Sequence, residues 1–525
     1  MAGAVSAGAY TAGVMDYLIE TLDKWEAAKE RNKTIGEGNE GYDQSVPMHD
    51  VVIEVLSGAS AGGMTAALTA VALHGELPPI TEGSTTEEKK KNILYNTWVN
   101  MVEGDLIEKL LDTSDMPKKQ QPRSVLNSSF IEEIAGRAFG AVTSPKPPPL
   151  FVSKNLDLFL SLSNLTGTKY AIRFQNEDRH EMCLHQDLVH FVLNGTDTSP
   201  DYRIPLRLKT NTNVGLLKDS AIATGAFPLA FPPGEIEKQD LDIGDNPIFD
   251  FAENQDIALR SSDDQSEEKK DFCVDAGLIN NEPFGITQRL LKKKGGDSAV
   301  IMIDPFPAES KECGKKGGDE KNLLDIIGLI IKAVVGQLRF KLDHIRAAVS
   351  SKVFDIYMVA PRSRRRPAHP LATGPLEGFA GFFHRPFREK DFNLGRKNCQ
   401  SFLRKYFALP MDEYQRIFGP VRQEVRLRYE PEGNRGHLPI IPDMDFSNLN
   451  PGGNEIIEEE FPEFQTDGLK KKYKKKLKKR SLTLLKRLGA CKGSWFRVIL
   501  CPFLPLILNG GVNWVFKKIE EELGR

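Results

Sequence analysis

The 525-residue sequence predicts an α/β protein with a largely parallel central sheet. Three observations carry that prediction. Short β-branched and apolar runs alternate with segments of helical periodicity over most of the chain. One such alternation, Val51–Leu68 (VVIEVLSGASAGGMTAAL), compresses a strand, a sharp turn and a helix into a single unit. The composition, 40% apolar and 27% charged, is that of a globular protein, and a net charge of −2 excludes a global bias toward nucleic acid or anionic membrane.

The chain opens on Gly3-Ala4-Val5-Ser6-Ala7-Gly8, a small-residue loop feeding a helix predicted over Thr11–Leu22, with Val14, Leu18 and Leu22 on one face. Main-chain N–H groups in such a loop form a cradle for negative charge. A loop of this kind ordinarily follows a strand, so a strand ahead of it, or another segment in that place, is expected. Residues 25–47 read as a polar, Gly-rich insertion, and 76–93 as a second polar loop. Asn96–Leu111 reads as a helix and Ser124–Ala135 as a capped helix start. After the prolines of 145–149, Leu156–Gly167 alternates apolar and polar residues and reads as a strand and turn, continued through 170–174 and 181–193. A helix over Leu216–Ala226 runs into Phe227–Pro233, followed by an acidic insertion, 234–270. Phe272 begins a short strand, an Asp275-Ala276-Gly277 turn and a helix over Phe284–Leu291. Further strands are expected at Ser298–Asp304 and Lys352–Val359, and helices at Leu323–Ile345, Asp391–Phe407 and Met411–Val425. Residues 361–388 and 430–468 read as irregular.

Within the first strand-turn-helix unit, Ser60 stands at the apex of Gly58-Ala59-Ser60-Ala61-Gly62, the setting of a nucleophile elbow. Glycines two residues before and after the serine remove side chains where strand and helix crowd each other. The helix N-terminus favours negative charge developing at Ser60. The plain alternative is a Gly-rich turn between a strand and a helix. A nucleophilic serine needs a base. Of nine histidines, only His344, His369, His384 and His437 come late enough for the order serine, acid, histidine, and none sits in a short strand-to-loop setting. Asp275, at the end of an apolar strand and in an Asp-x-Gly turn, is the better candidate. An ordinary turn aspartate is its alternative reading.

Four motifs in order give the chain a resemblance to patatin-like phospholipases. They are Gly3 to Gly13, Gly58-Ala-Ser60-Ala-Gly62-Gly63, Ala221 to Pro233, and Asp275-Ala-Gly277 followed by Asn-Asn-x-Pro. Asp391-Phe-Asn-Leu-Gly-Arg-Lys-Asn-Cys-Gln also looks like the later part of bacterial members. The resemblance implies a three-layer α/β/α fold and a serine lipid acyl hydrolase. It makes Ser60 the nucleophile, Asp275 its base, and the backbone N–H groups of Gly3, Ala4 and Val5 the oxyanion hole, with no metal or other cofactor. Two departures stand out: the first loop has Ser6-Ala7 where a basic residue is common, and the dyad turn has Ala276 where glycine is common.

These readings divide the chain into a catalytic domain over 1–310, an extension over 311–440 that completes or packs on it, and a linker and basic/apolar tail over 441–525. The tail carries KKKYKKKLKKR at 470–480 and a mostly apolar stretch, Trp495–Phe516, broken by prolines and glycines. It reads either as a peripheral membrane anchor through 470–516 or as a segment packed on the catalytic domain. Lipid or another ester is the expected substrate, and no nucleic acid is expected. Six scattered cysteines and no signal peptide lead us to expect a cytoplasmic setting. A catalytically silent patatin fold that binds lipid or a partner is the competing function. A Ser-His-Asp esterase is a third.

Overall fold

The computed structural model describes residues 1–117, 120–140, 145–173, 179–193, 203–237, 257–259, 270–279, 284–307, 355–430, 436–448, 454–488 and 504–523. A seven-stranded sheet is its centre. The strands are β1 (Ile53–Gly58), β2 (Val152–Arg173), β3 (Arg179–Leu193), β4 (Ile204–Leu206), β5 (Gly234–Glu237), β6 (Ile257–Leu259) and β7 (Lys270–Asp275). The long β2 pairs with four others: β1 in parallel, and β3, β6 and β7 antiparallel. β3 pairs with β4 in parallel, and β5 with β7 antiparallel. The sheet is therefore mixed among the described residues, not mostly parallel. The cause is local: β2 and β3 form a long hairpin where the sequence suggested separate short strands. β8 (Ala299–Ile303) and β9 (Asp355–Val359) form a separate parallel pair.

Alternation along β2 sets the layers. Leu156, Leu158, Leu160 and Leu162 enter the main core, while Phe159 points into a second cluster with Leu188 and Ile286. On the main-core side lie helices α1 (Gly8–Ile35) and α2 (Ala61–Ala72), the short α4 (Ile93–Tyr95) and α5 (Leu106–Leu110), α6 (Ser129–Phe139) and α7 (Val214–Thr224), with the exposed α3 (Thr86–Lys91) leading into α4. On the other side lies α8 (Phe284–Lys294), tied to β1 by Ser57 Oγ–Thr287 Oγ1 at 2.8 Å. This is the expected three-layer α/β/α arrangement.

Several local expectations are corrected. Helix α1 continues through Ile35 rather than stopping before an insertion at residue 25. Its extension is held by polar contacts that periodicity does not reveal. Trp25 Nε1 donates to Pro47 O (2.8 Å), Lys29 Nζ meets Asp50 (2.8 Å), and Asn32 and Asp43 exchange two hydrogen bonds of 2.9 Å. Within 76–93, Thr85 and Glu88 form a reciprocal capping box that starts α3. The helix expected over Asn96–Leu111 is a π turn, Asn96–Asn100, broken at Met101 (φ 53°) before α5. The 234–270 insertion contains β5, β6 and the first residue of β7, and 238–256 and 260–269 lie outside the described residues. The helix expected at Leu323–Ile345 also lies outside them. Met1 and Ala2 bridge β1 and β8: Met1 N donates to Ser57 O (2.8 Å) and Ala2 N to Ile303 O (2.9 Å). A cavity of about 880 Å³ continues between the two strands below them.

The later chain adds α9 (Arg385–Lys405), α10 (Met411–Phe418), α11 (Gln423–Tyr429), the two-stranded β10 (Ala408–Pro410) and β11 (His437–Pro439), α12 (Leu469–Arg487) and α13 (Leu504–Leu523). Helix α9 begins inside the stretch expected to be irregular and crosses α1 at very short range. A Cβ on Gly13 would overlap Phe392 backbone, and one on Gly395 would overlap Tyr10 backbone. Beside the crossing, Arg396 forms ion pairs with Asp16 and with Glu20 (2.6 Å), all three largely shielded from solvent. No helix among the described residues is long and apolar enough to cross a membrane. Gly395→Ala should lower unfolding stability by ~1–3 kcal/mol because backbone cannot yield as a side chain can. Gly136→Ala, on an exposed part of α6 with open space around it, should be neutral or stabilising by up to ~1 kcal/mol. Urea titration of both variants tests this, and equal effects would refute the close-approach argument.

Candidate active site

The elbow is set by backbone proximity. Ser60 has φ 53° and ψ −132°, a conformation that non-glycine residues rarely adopt. A Cβ on Gly58 would lie 2.6 Å from Gly63 N, and one on Gly62 would lie 2.6 Å from Ala2 O. Strand β1, the start of α2 and the first residues of the chain therefore pack with no room for side chains. Ala59 N–H donates to Met1 O (3.2 Å), and Ser60 N–H donates to Thr224 Oγ1 (2.9 Å). Thr224 in turn donates to Ser161 O on β2 (2.7 Å), so α7 fixes the strained serine to the sheet.

Asp275 ends β7, beside β2, and reaches Ser60 from there. Ser60 Oγ donates to Asp275 Oδ2 at 2.5 Å. Gly277 N–H donates to Oδ1 at 2.7 Å, which orients the carboxylate, and Asp275 N–H donates to Ala226 O at 3.0 Å. Ser60 and Asp275 are 5% and 4% exposed. Burial raises the Asp275 pKa to about 6, and the two hydrogen bonds to the carboxylate only partly offset it. The result is a carboxylate more basic than usual, in contact with a serine hydroxyl.

The first loop passes beside this pair. Gly3 and Ala4 lead into Val5, which lines the same cavity as Ser60 and Asp275. Val5 has φ 48°, an outlier for a β-branched residue. Gly3 and Ala4 N–H groups donate to no acceptor among the described residues. Ser6 is fully buried and anchors the loop: its hydroxyl donates to Gly378 O and accepts from Gly381 N–H (3.1 Å). The cavity beside Ser60 is narrow, about 80 Å³, and walled by Met64, Trp98, Phe130, Ile134 and Phe227 among others.

The structure thus brings together Ser60, Asp275, Gly58, Gly62, Gly277 and the Gly3-Ala4-Val5 loop. No histidine lines this cavity among the described residues. His384 packs edge-on against Phe387 and at a tilt against Phe464 at the start of α9, and His437 lies in β11, so neither is placed beside Ser60. His344 lies outside the described residues. Sequence reasoning missed Thr224, Ser6, Gly378 and Gly381. Thr224 sits inside the Ala221–Pro233 motif, which was a usable signal. The Ser6 contacts span more than 370 residues and carry no local signature.

Comparison with known proteins fits this geometry. The sequence profile described as patatin-like phospholipase matches residues 1–287. A protein of Sinorhizobium fredii (strain NBRC 101917 / NGR234), described as uncharacterized protein y4iI, is 31% identical over 84% of this chain and 69% of its own length. With the profile match covering more than half of its length, the chain belongs to the patatin-like phospholipase family, whose family-level activity is lipid acyl hydrolysis.

Proposed function

We propose that this protein is a serine lipid acyl hydrolase that cleaves carboxylic esters through a Ser60–Asp275 dyad. The observation that carries the reading is the 2.5 Å hydrogen bond from a strained serine to a buried aspartate, opening onto an apolar cavity. Asp275 takes the Ser60 proton as Oγ attacks the ester carbonyl carbon. The carbonyl oxygen becomes an oxyanion, held by the N–H groups of Gly3, Ala4 and Val5, which need no reorganisation as charge forms. The protonated Asp275 then gives its proton to the departing alkoxide, leaving acyl-Ser60. Water attacks the acyl carbon while Asp275 takes its proton and returns it to Ser60 Oγ, releasing the carboxylic acid. A carboxylate is a weak base for this task, and its upward-shifted pKa narrows the mismatch.

One acyl chain lies in the cavity between α2, the π turn and α6. Phe227, which lines that cavity, is exposed, and so are Leu229 two residues on, at 81%, and Val125. Val125 N–H donates to Leu229 O (2.7 Å), and Val125 O accepts from Arg480 of α12 (2.5 Å). The basic helix therefore adjoins this exposed apolar segment. Its inner side is pinned by Lys472–Asp105, Lys476–Glu108 and Arg480–Asp115, while Lys470, Lys471, Lys475 and Lys479 are exposed. Apolar residues beside exposed lysines suit a peripheral site on an anionic bilayer.

Ser60→Ala and Asp275→Asn should each lower kcat/KM on p-nitrophenyl butyrate by roughly 10³-fold or more. Wild-type kcat/KM should rise with pH through about 6, as Asp275 ionises. Stability moves the other way. The folded state holds this proton more tightly than the unfolded chain, so the contribution of Asp275 to stability is fully present below about pH 4 and is lost as pH rises through about 6. Asp275→Asn should then be more stable than wild type at pH 8 by up to ~3 kcal/mol, and by much less at pH 4. Full activity in either variant would end the dyad proposal. Ala135→Leu, which narrows the cavity, should lower turnover of decanoate relative to acetate esters by roughly tenfold; an unchanged ratio would move the acyl chain elsewhere. Leu229→Asp, or Lys475→Gln with Lys479→Gln, should weaken flotation with phosphatidylserine vesicles, each lysine contributing about 1 kcal/mol. Salt-independent binding equal to wild type would remove the membrane reading.

A further inference from the structure

The loop that carries Gly3, Ala4 and Val5 is held by a strained turn, and that turn is held by the far end of the chain. The 3₁₀ segment Leu376–Phe382 contains three successive left-handed residues, Leu376 (φ 57°), Glu377 (φ 56°) and Gly378 (φ 93°). Leucine and glutamate do not hold this conformation without outside support. The turn must nevertheless keep its shape, because Gly378 O and Gly381 N–H are the two partners of Ser6 Oγ. Contact is tight: a Cβ on Gly381 would lie 2.8 Å from Ser6 Cβ, and one on Gly378 would lie 3.0 Å from Ala4 O.

Two supports come from α9. Asp391 accepts from Ala372 N–H (2.8 Å) and Thr373 N–H (2.8 Å), and Arg388 donates to Gly381 O. They fix the entry and exit of the turn. The left-handed residues between them receive a third support, from α13: the Glu522 carboxylate accepts from Leu376 N–H at 2.8 Å. Helix α13 is seated for this by Phe516 and Leu523, which are buried in a cluster with Ala372, Ala380, Phe387, Leu469 and Tyr473.

We propose that Glu522 is a positioning residue for the oxyanion loop, acting from α13 through Leu376, the turn and Ser6. The proposal rests on the Ser60–Asp275 reading for its effect on turnover, and on the contacts alone for its effect on the loop. Without the carboxylate, the turn relaxes toward ordinary backbone angles. Ser6 then loses its fixed partners, and the N–H groups beside Ser60 shift from the place where the oxyanion forms. Misplacement of this order lowers the chemical step without weakening substrate binding.

The test uses the full chain with p-nitrophenyl butyrate. Glu522→Ala should lower kcat by roughly 10- to 100-fold with KM within about twofold. Glu522→Gln, whose amide oxygen still accepts from Leu376 N–H, should restore most of kcat. Glu521→Ala, which removes only an exposed partner of Lys517, should match wild type. Hydrogen exchange at the amides of residues 4–8 and 376–381 should speed up in Glu522→Ala and not in Glu522→Gln, a readout independent of activity. Wild-type kcat in Glu522→Ala, failure of Glu522→Gln to restore it, or faster exchange confined to 376–381 would each overturn the proposal. If Ser60→Ala kept full activity, the dyad reading would fail, and the exchange comparison would still decide whether Glu522 governs the loop.

Discussion

The closeness of three backbones at the elbow is the constraint on which the site depends. Strand β1, the first turn of α2 and residues 1–2 meet where Gly58 and Gly62 carry no side chain. A methyl group on Gly58 would push the first turn of α2 away from the strand, and one on Gly62 would push residues 1–2 away. That segment leads directly into the Gly3-Ala4-Val5 loop, so the same contact that bends Ser60 into φ 53° also sets where the backbone donors can lie. Strain at Ser60 and at Val5 persists because neighbours over-determine both positions. Thr224 and Asp275 hold the serine, and the valine is held through its neighbour Ser6, locked to Gly378 and Gly381.

In the proposed reaction, burial does the chemical part. A carboxylate in water beside a serine would be a poor base, and its hydrogen bond to the hydroxyl would contribute little. Removed from water, Asp275 keeps two donors among the described residues, Ser60 and Gly277. Desolvation outweighs them, and the net pKa is about 6. The same low-dielectric surroundings strengthen any donor aimed at a developing oxyanion. Stability and reactivity are therefore opposed at this residue: what makes the carboxylate basic also makes its ionised form costly to fold.

The parts of the site that were legible in the sequence were those whose geometry is local. Gly58, Ser60 and Gly62 lie within one turn, and Asp275 with Gly277 within another, so backbone rules point to them directly. Helices α6, α7 and α8 were legible for the same reason, through residue patterns local to each segment. What was not legible depends on distant partners. The second half of α1 looks like a polar loop because the buried Lys29 and Asn32 take partners from residues 43–50, which periodicity does not reveal. The mixed order of the sheet depends on how far the β2–β3 hairpin extends, and alternation alone does not measure that. Ser6 read as a departure from the usual basic residue in the first loop. In the fold it has a definite task, as the hydroxyl that both donates to and accepts from the turn at 376–382.

The later third of the chain is bound to the catalytic core rather than appended to it. Helix α9 approaches α1 so closely that Gly13 and Gly395 face backbone directly. The buried Arg396, Asp16 and Glu20 beside them are weak as a source of net stability, because desolvation offsets most of their attraction. They are strong as a constraint on register, since sliding α9 by one turn would leave an unpaired charge in the core. Helix α1 begins immediately after the Gly3–Val5 loop, and α9 begins immediately after the turn that grips Ser6. Fixing the two helices against each other therefore fixes the two loops at their N-terminal ends against each other. The rigid crossing is what allows a strained valine and a strained turn to meet at a defined distance from Ser60, and it explains why residues beyond 385 belong to the working unit of this hydrolase fold.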